Sequence, residues 1–220
     1  MSHNLNFSGN GARPLVILGA GGHAKVLIEA VRLQNWSVKG VVSPDRKPGE
    51  DFFGYAILGG DEKIRDFPPD QIMLVNGLGS TGILGRRKSI FEKFKEIGYS
   101  FAQIVHPSAI ISSDVQLGEG IQIMAGVVIQ PGTRIGINSI INTRVAVDHD
   151  CIIGDHVHLA PGATLSGGVE VGDCVHVGTG ASIIQSISIG KNSLVGAGAL
   201  VIRSVPEYQL VTGVPAKLSK

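Results

Sequence analysis

From residue 104 onward the aliphatic side chains keep a strict count. Leu117, Ile123, Ile129, Ile135, Ile141, Val147, Ile153, Leu159, Leu165, Val171, Val177, Ile183, Ile189, Val195 and Val201 follow one another every six residues, and Val105 and Ile111 extend the series backward. Gly118, Gly136, Gly154, Gly172 and Gly190 add a second period of eighteen. The positions four after each aliphatic are mostly small or branched, as at Val127, Thr133, Ser139, Ala163 and Ala181. No α-helix holds a period of six, and an alternating strand would show a period of two. A six-residue repeat predicts a solenoid in which each hexad supplies one short strand and one turn. Three hexads then close one triangular circuit, with the aliphatics stacked inward. The eighteen-residue glycines are expected at corners where the backbone opens to positive φ.

Residues 14–100 follow a different rule. "PLVILGAG" predicts a buried strand entering a tight turn, and "GHAKVLIEAVRLQ" a helix with Val26, Leu27, Ala30, Val31 and Leu33 on its apolar side. "SVKGVVS" and "QIMLVNGLG" predict two more strands, and "GILGRRKSIFEKFKEIG" a second helix closed by Gly98. This order implies a Rossmann-like βαβαβ domain with a parallel sheet. The expected organisation is a disordered extension over 1–13, this α/β domain over 14–103, a β-helix over 104–205 and a C-terminal segment over 206–220.

Composition narrows the choice. A net charge of +1 shows no basic surplus, which argues against nucleic acid as partner. Cys151 and Cys174, the two cysteines, fit no metal spacing and no disulfide framework. The N-terminus lacks the apolar core of a signal peptide and no run is long enough to span a bilayer, so a cytoplasmic protein with no membrane partner is expected.

Two stretches carry candidate chemistry. "VAVDHDCIIG" sets His149 between Asp148 and Asp150, which suits a base, a metal ligand or a polar turn. "GAGGHA", residues 19–24, fits G-x-G-x-x-A between a strand and a helix, the dinucleotide pattern. However, the second strand ends at Ser43, where a dinucleotide site would place an acid on the ribose, and Asp45 is the nearest acid. Asn76 and Gly77 end the third strand, on the edge where such sheets bind ligands.

Taken in order, "GAGGHAKVLIEA", "IVHPSAIIS", "INTRVAVDHDCIIGDHVHLAPGATLSGGVEVG" and "GVPAK" resemble the nucleotide-amino-sugar N-acetyltransferases of the hexapeptide-repeat family, from Leu15 to Lys217. Sialic acid O-acetyltransferases share the layout. The resemblance implies a left-handed parallel β-helix, an exception to right-handed crossovers. It also implies a homotrimer with active sites between neighbouring β-helices, acetyl-CoA as donor, no metal, and a nucleotide-sugar acceptor in a bacterial surface-glycan pathway. The 4-amino group of a dideoxy sugar is the expected target.

By the same resemblance His149 is the general base, tuned by Asp150 or by Asp148. Asn142 lies near the base, His158 beside the acetyl group, and the Gly167 N–H is an oxyanion donor. Gly178, Gly196 and Ala197 follow the pantetheine arm, and Lys217 the CoA phosphates. Gly19, Gly21, Gly22, His23, Ser43, Asp45, Asn76 and Gly77 face the nucleotide-sugar, with UDP, dTDP and GDP all open. His176, one circuit after His158, is expected to be a satisfied groove histidine. O-acetylation of a sugar hydroxyl is the nearest alternative. A zinc site from His149, His156, His158 and His176 and a non-catalytic sugar-binding scaffold are more distant ones.

Overall fold

The computed structural model describes residues 13–80 and 85–219; residues 1–12 of the expected extension lie outside them. Arg13 is anchored, its Nη1 donating to the Pro69 carbonyl at 2.7 Å. Among the described residues, those up to Pro107 form one compact unit and those from Ser108 another.

The first unit is built on β1 (Leu15–Leu18), whose four apolar residues are all buried. It continues through α1 (Gly22–Leu33), β2 (Val38–Val42), the hairpin β3 (Asp51–Phe52) and β4 (Tyr55–Gly59), β5 (Met73–Asn76) and α2 (Gly85–Glu96). The sheet order is β3-β4-β2-β1-β5, parallel except for the hairpin. β1 lies between β2 and β5, so the chain switches direction across the sheet at its carboxyl end, where α/β sheets open a crevice. The β3–β4 hairpin was not expected. Its first strand is two residues long, and its tip places Phe53 at φ +53 and Gly54 at φ +83.

The apolar side of α1 also differs from expectation. Val26 and Leu33 are 46% and 56% exposed, whereas Ala24, Leu27, Ile28, Ala30 and Val31 are buried. Ala24, Leu27, Ile28 and Val31 follow the i, i+3, i+4, i+7 pattern of one helix face, and the small Ala24 lets that face approach the sheet.

The second unit is a left-handed parallel β-helix. Each hexad gives a two-residue strand that pairs in parallel with the strand one circuit later, as in Ile129↔Val147, Ile135↔Ile153 and Ile141↔Leu159. Those strands belong to three separate sheets. The inward aliphatics from Ile123 to Val201 are at most 3% exposed. Val127, Thr133, Ser139, Ala163 and Ala181 are equally buried and fill the corners. Leu210–Thr212 pair in parallel with Leu194–Val195, and Lys217–Leu218 turn back antiparallel on them, so sheet pairing continues beyond residue 205.

The glycine rows require a correction. Gly118, Gly136, Gly154, Gly172 and Gly190 are not at positive φ. The left-handed positions lie two residues later and, after Gly120, are not glycine: Asn138, His156, Cys174 and Asn192. Gly172 is excluded from bearing a side chain by coil stacking, since a Cβ there would lie 2.7 Å from Lys191 N and 3.0 Å from its Cα. Gly172→Ala is therefore expected to cost about 1–3 kcal/mol of stability, read from denaturant unfolding. An unchanged midpoint would show that the coils relax freely.

Candidate active site

His149 and Asp150 form the turn that follows the strand Ala146–Val147. The Asp148 carboxylate accepts from the His149 backbone N–H at 2.8 Å. The Asp150 carboxylate, by contrast, meets the ring, with Nδ1 2.8 Å from Oδ2. Asp148 thus shapes the turn, and Asp150 holds the imidazole. An ionised carboxylate only accepts, so Nδ1 carries the proton and the neutral ring presents its Nε2 lone pair. The side chain is 61% exposed. Its pKa is raised above the ordinary histidine value, first by the bond to Asp150 and then by the charge of Asp148.

Gly167 lies one circuit above His149. A Cβ there would come within 2.6 Å of the ring atoms Cε1 and Nε2, so the glycine is the seat of the imidazole. The neighbouring Gly168 N–H donates to the His149 carbonyl at 2.9 Å, tying the two turns together. Among the described residues the Gly167 N–H makes no hydrogen bond.

A second cluster forms on another sheet. Asn142 Oδ1 accepts from the Thr143 N–H at 2.8 Å, which turns Nδ2 toward His158 Nε2 at 3.1 Å. Asn142, the asparagine expected near the base, is thus bonded to His158. His158 is 8% exposed. It pairs across the sheet with His176, their rings edge to face at 4.8 Å between centroids. Burial lowers the His176 pKa. Asn142, Gly178 and Gly196 occupy equivalent positions of one corner. Gly178 is required by stacking, as a Cβ would lie 2.5 Å from Ala197 N, and at Gly196 it would lie 2.7 Å from Thr212 Cγ2. Along this corner the side chains shrink from Asn142 to Gly178 and Gly196, with Ala197 exposed next to Gly196 and Lys217 exposed on the terminal hairpin.

His156 sits at a third corner, 7% exposed, with Nδ1 2.9 Å from Asn138 Nδ2. Among the described residues no three histidine, cysteine or carboxylate side chains gather as a metal site. His149, His156 and His158 bond separate partners, whereas His176, expected to be satisfied, packs against His158 and its buried Nδ1 finds no hydrogen-bond partner among the described residues.

In the first unit a cavity of about 600 Å³ opens at the carboxyl end of β1, lined by Gly19, Ala20, Gly21, Ser43, Pro44, Asp45, Arg46, Glu50, Leu78 and Arg86. Four of the eight residues expected there do line it: Gly19, Gly21, Ser43 and Asp45. Gly22 and His23 lie in the first turn of α1 but not on the cavity wall. Gly77 is packed against β1, where a Cβ would lie 2.7 Å from the Leu18 carbonyl oxygen. The Asn76 side chain is 1% exposed and turned inward, its Nδ2 donating to the Arg87 carbonyl at 3.0 Å. Arg46, paired with Glu50, and Arg86 were missed, because both read as ordinary surface charges in the sequence. Among the described residues no helix is long and apolar enough to cross a membrane.

Residues 14–94 match the family described as PglD N-terminal domain, and residues 132–167 match bacterial transferase hexapeptide repeats. A GDP-perosamine N-acetyltransferase from Escherichia coli O157:H7 is 35% identical over 85 residues, a match that spans 39% of this chain and 38% of that relative. The structure of PerB from Caulobacter crescentus, in complex with CoA and GDP-perosamine, is 38% identical with a TM-score of 0.88, covering 96% of this chain and 99% of that one. The acetyltransferase domain of PglB from Neisseria gonorrhoeae, in complex with acetyl coenzyme A, is 32% identical with a TM-score of 0.87 over 95% and 100%. With both units matched over nearly their whole length, the chain belongs to the nucleotide-amino-sugar N-acetyltransferases of the hexapeptide-repeat family.

Proposed function

We propose that the protein transfers the acetyl group of acetyl-CoA to the 4-amino group of a GDP-linked 4-amino-4,6-dideoxy sugar. The observation that carries this reading is the His149 ring, held by Asp150 through Nδ1 with Nε2 seated over Gly167. The amine nitrogen attacks the thioester carbonyl, and His149 Nε2 takes the proton that the nitrogen loses. The tetrahedral oxyanion accepts from the Gly167 N–H. Its collapse breaks the C–S bond, and the His149 imidazolium returns the proton to the CoA thiolate. His158, fixed by Asn142, positions the thioester. The strip at Gly178, Gly196 and Ala197 takes the pantetheine arm, and Lys217 the CoA phosphates.

The cavity at Gly19 and Gly21 takes the nucleotide, with its diphosphate near the N-terminus of α1 and the guanidinium groups of Arg46 and Arg86. GDP is preferred because the relatives matched at 35–38% identity carry that nucleotide in their names or their crystals. The working form is a homotrimer in the cytoplasm, within surface-glycan synthesis. Incubation with acetyl-CoA and the same amino sugar linked to GDP, UDP or dTDP tests this directly. N-acetylated product should form fastest from the GDP sugar, and no product from any of the three would remove the reading.

The raised His149 pKa sets a further expectation. Only the neutral ring can take the proton, so kcat/KM should fall as pH drops through a pKa above about 6.5. Asp150→Asn removes the largest cause of the rise, so the acid limb should move to lower pH while the maximal rate declines. A pH–rate profile with the limb unmoved would dissociate Asp150 from the base.

A further inference from the structure

Arg87 is the third residue of α2 and only 3% exposed, on the helix face that also buries Phe91 and Phe94, an uncommon setting for a charged side chain. Its Nη1 donates to two backbone carbonyls, Asn76 O at 2.8 Å and Leu78 O at 2.7 Å. Asn76 answers from the other side, with Nδ2 on the Arg87 carbonyl at 3.0 Å and Oδ1 accepting from the Leu78 N–H at 3.3 Å. The end of β5 and the first turn of α2 are therefore locked by reciprocal bonds. Both flanks of this lock reach the nucleotide cavity: Leu78 lines it from the β5 side and Arg86, next to Arg87, from the helix. Leu78 also rests on the glycine turn, its Cδ2 lying 2.7 Å from where a Gly19 Cβ would be.

We infer that Arg87 is a positioning residue for nucleotide recognition: by holding the carbonyls of Asn76 and Leu78 it fixes Leu78 against the Gly19 turn and presents Arg86 to the ligand. The proposal deepens the nucleotide-sugar reading and rests on it. Both bonds come from one nitrogen, so a lysine ammonium has enough N–H groups, but its side chain is one bond shorter and sets Nζ short of the Nη1 position. Burial lowers the guanidinium pKa to about 9, which leaves it protonated near neutral pH, so the donors are present under working conditions. A buried cation is retained when its hydrogen bonds are satisfied, which matches the use of both carbonyls.

The test is titration of GDP, and separately of CoA, into the full-length wild type, Arg87→Met and Arg87→Lys, together with steady-state kinetics. Arg87→Met should weaken GDP binding and raise KM for the nucleotide-sugar by about tenfold or more, roughly 1.4 kcal/mol. CoA affinity and kcat at saturating acceptor should stay within about twofold, a split that a loss of fold would not produce. Arg87→Lys should fall between the two, and it carries the test alone if Arg87→Met does not fold. Unchanged GDP affinity in either folded variant, or equal losses for GDP and CoA, overturns the proposal. A wild type that binds none of GDP, UDP and dTDP would instead remove the nucleotide-sugar reading itself.

Discussion

Replacing His149 by alanine should lower kcat/KM for acetyl transfer by roughly a hundred- to ten-thousandfold, the span over which a positioned general base contributes. The ring is exposed and bonded to Asp150, so its loss removes no core contact. Thermal stability and CoA binding should therefore persist. An amine near neutral pH is mostly protonated, and even its neutral form attacks the thioester only by shedding a proton. Without Nε2 that proton goes to water, and the thiolate leaves without a donor. The deficit should thus appear in kcat more than in KM. Full activity in a folded His149→Ala protein would move the base elsewhere.

Gly167→Ala should be nearly as damaging, although it adds a single methyl group. The added Cβ would occupy a point 2.6 Å from the ring atoms Cε1 and Nε2, inside any real carbon contact. Because the ring is open to solvent, it can swing away rather than unfold the coil. That swing displaces the base and blocks the proposed approach to the Gly167 N–H. A misplacement of about 1 Å in a catalytic group can cost about a hundredfold, and kcat should fall by at least that factor. Thermal stability should change far less than in Gly172→Ala, where the obstacle is backbone. Kinetics and melting curves on the two variants separate these effects, and an unchanged kcat in Gly167→Ala would show that the ring position is not critical.

The β-helix was legible because its main demand, an inward aliphatic every six residues, is a demand on residue type. Its glycine rows were misread for the opposite reason. Positive φ and close coil stacking both select glycine, and sequence alone cannot separate Gly168 at φ +67 from Gly172 against Lys191. The site was half legible. His149, Asp150, Gly167, His158 and Asn142 were named in advance, but the division of labour between Asp148 and Asp150 depends on how one turn folds each carboxylate back. The partner of Asn142 depends on cross-strand register in the same way. Arg87 was invisible, since "GRRKS" reads as a charged helix start and only the packed structure distinguishes buried Arg87 from the cavity-lining Arg86. The β3 strand escaped because two residues make too short a pattern to recognise.

The central claim is that this site acetylates an amine with His149 as base. The most direct measurement pairs two GDP sugars identical except for an amine or a hydroxyl at position 4, each offered with acetyl-CoA, and follows acetylated product by mass spectrometry. The expected result is rapid acetylation of the amine at nitrogen, little of the hydroxyl, and loss of the amine reaction in His149→Ala. Faster acetylation of the hydroxyl sugar, or an amine reaction indifferent to His149, would contradict it.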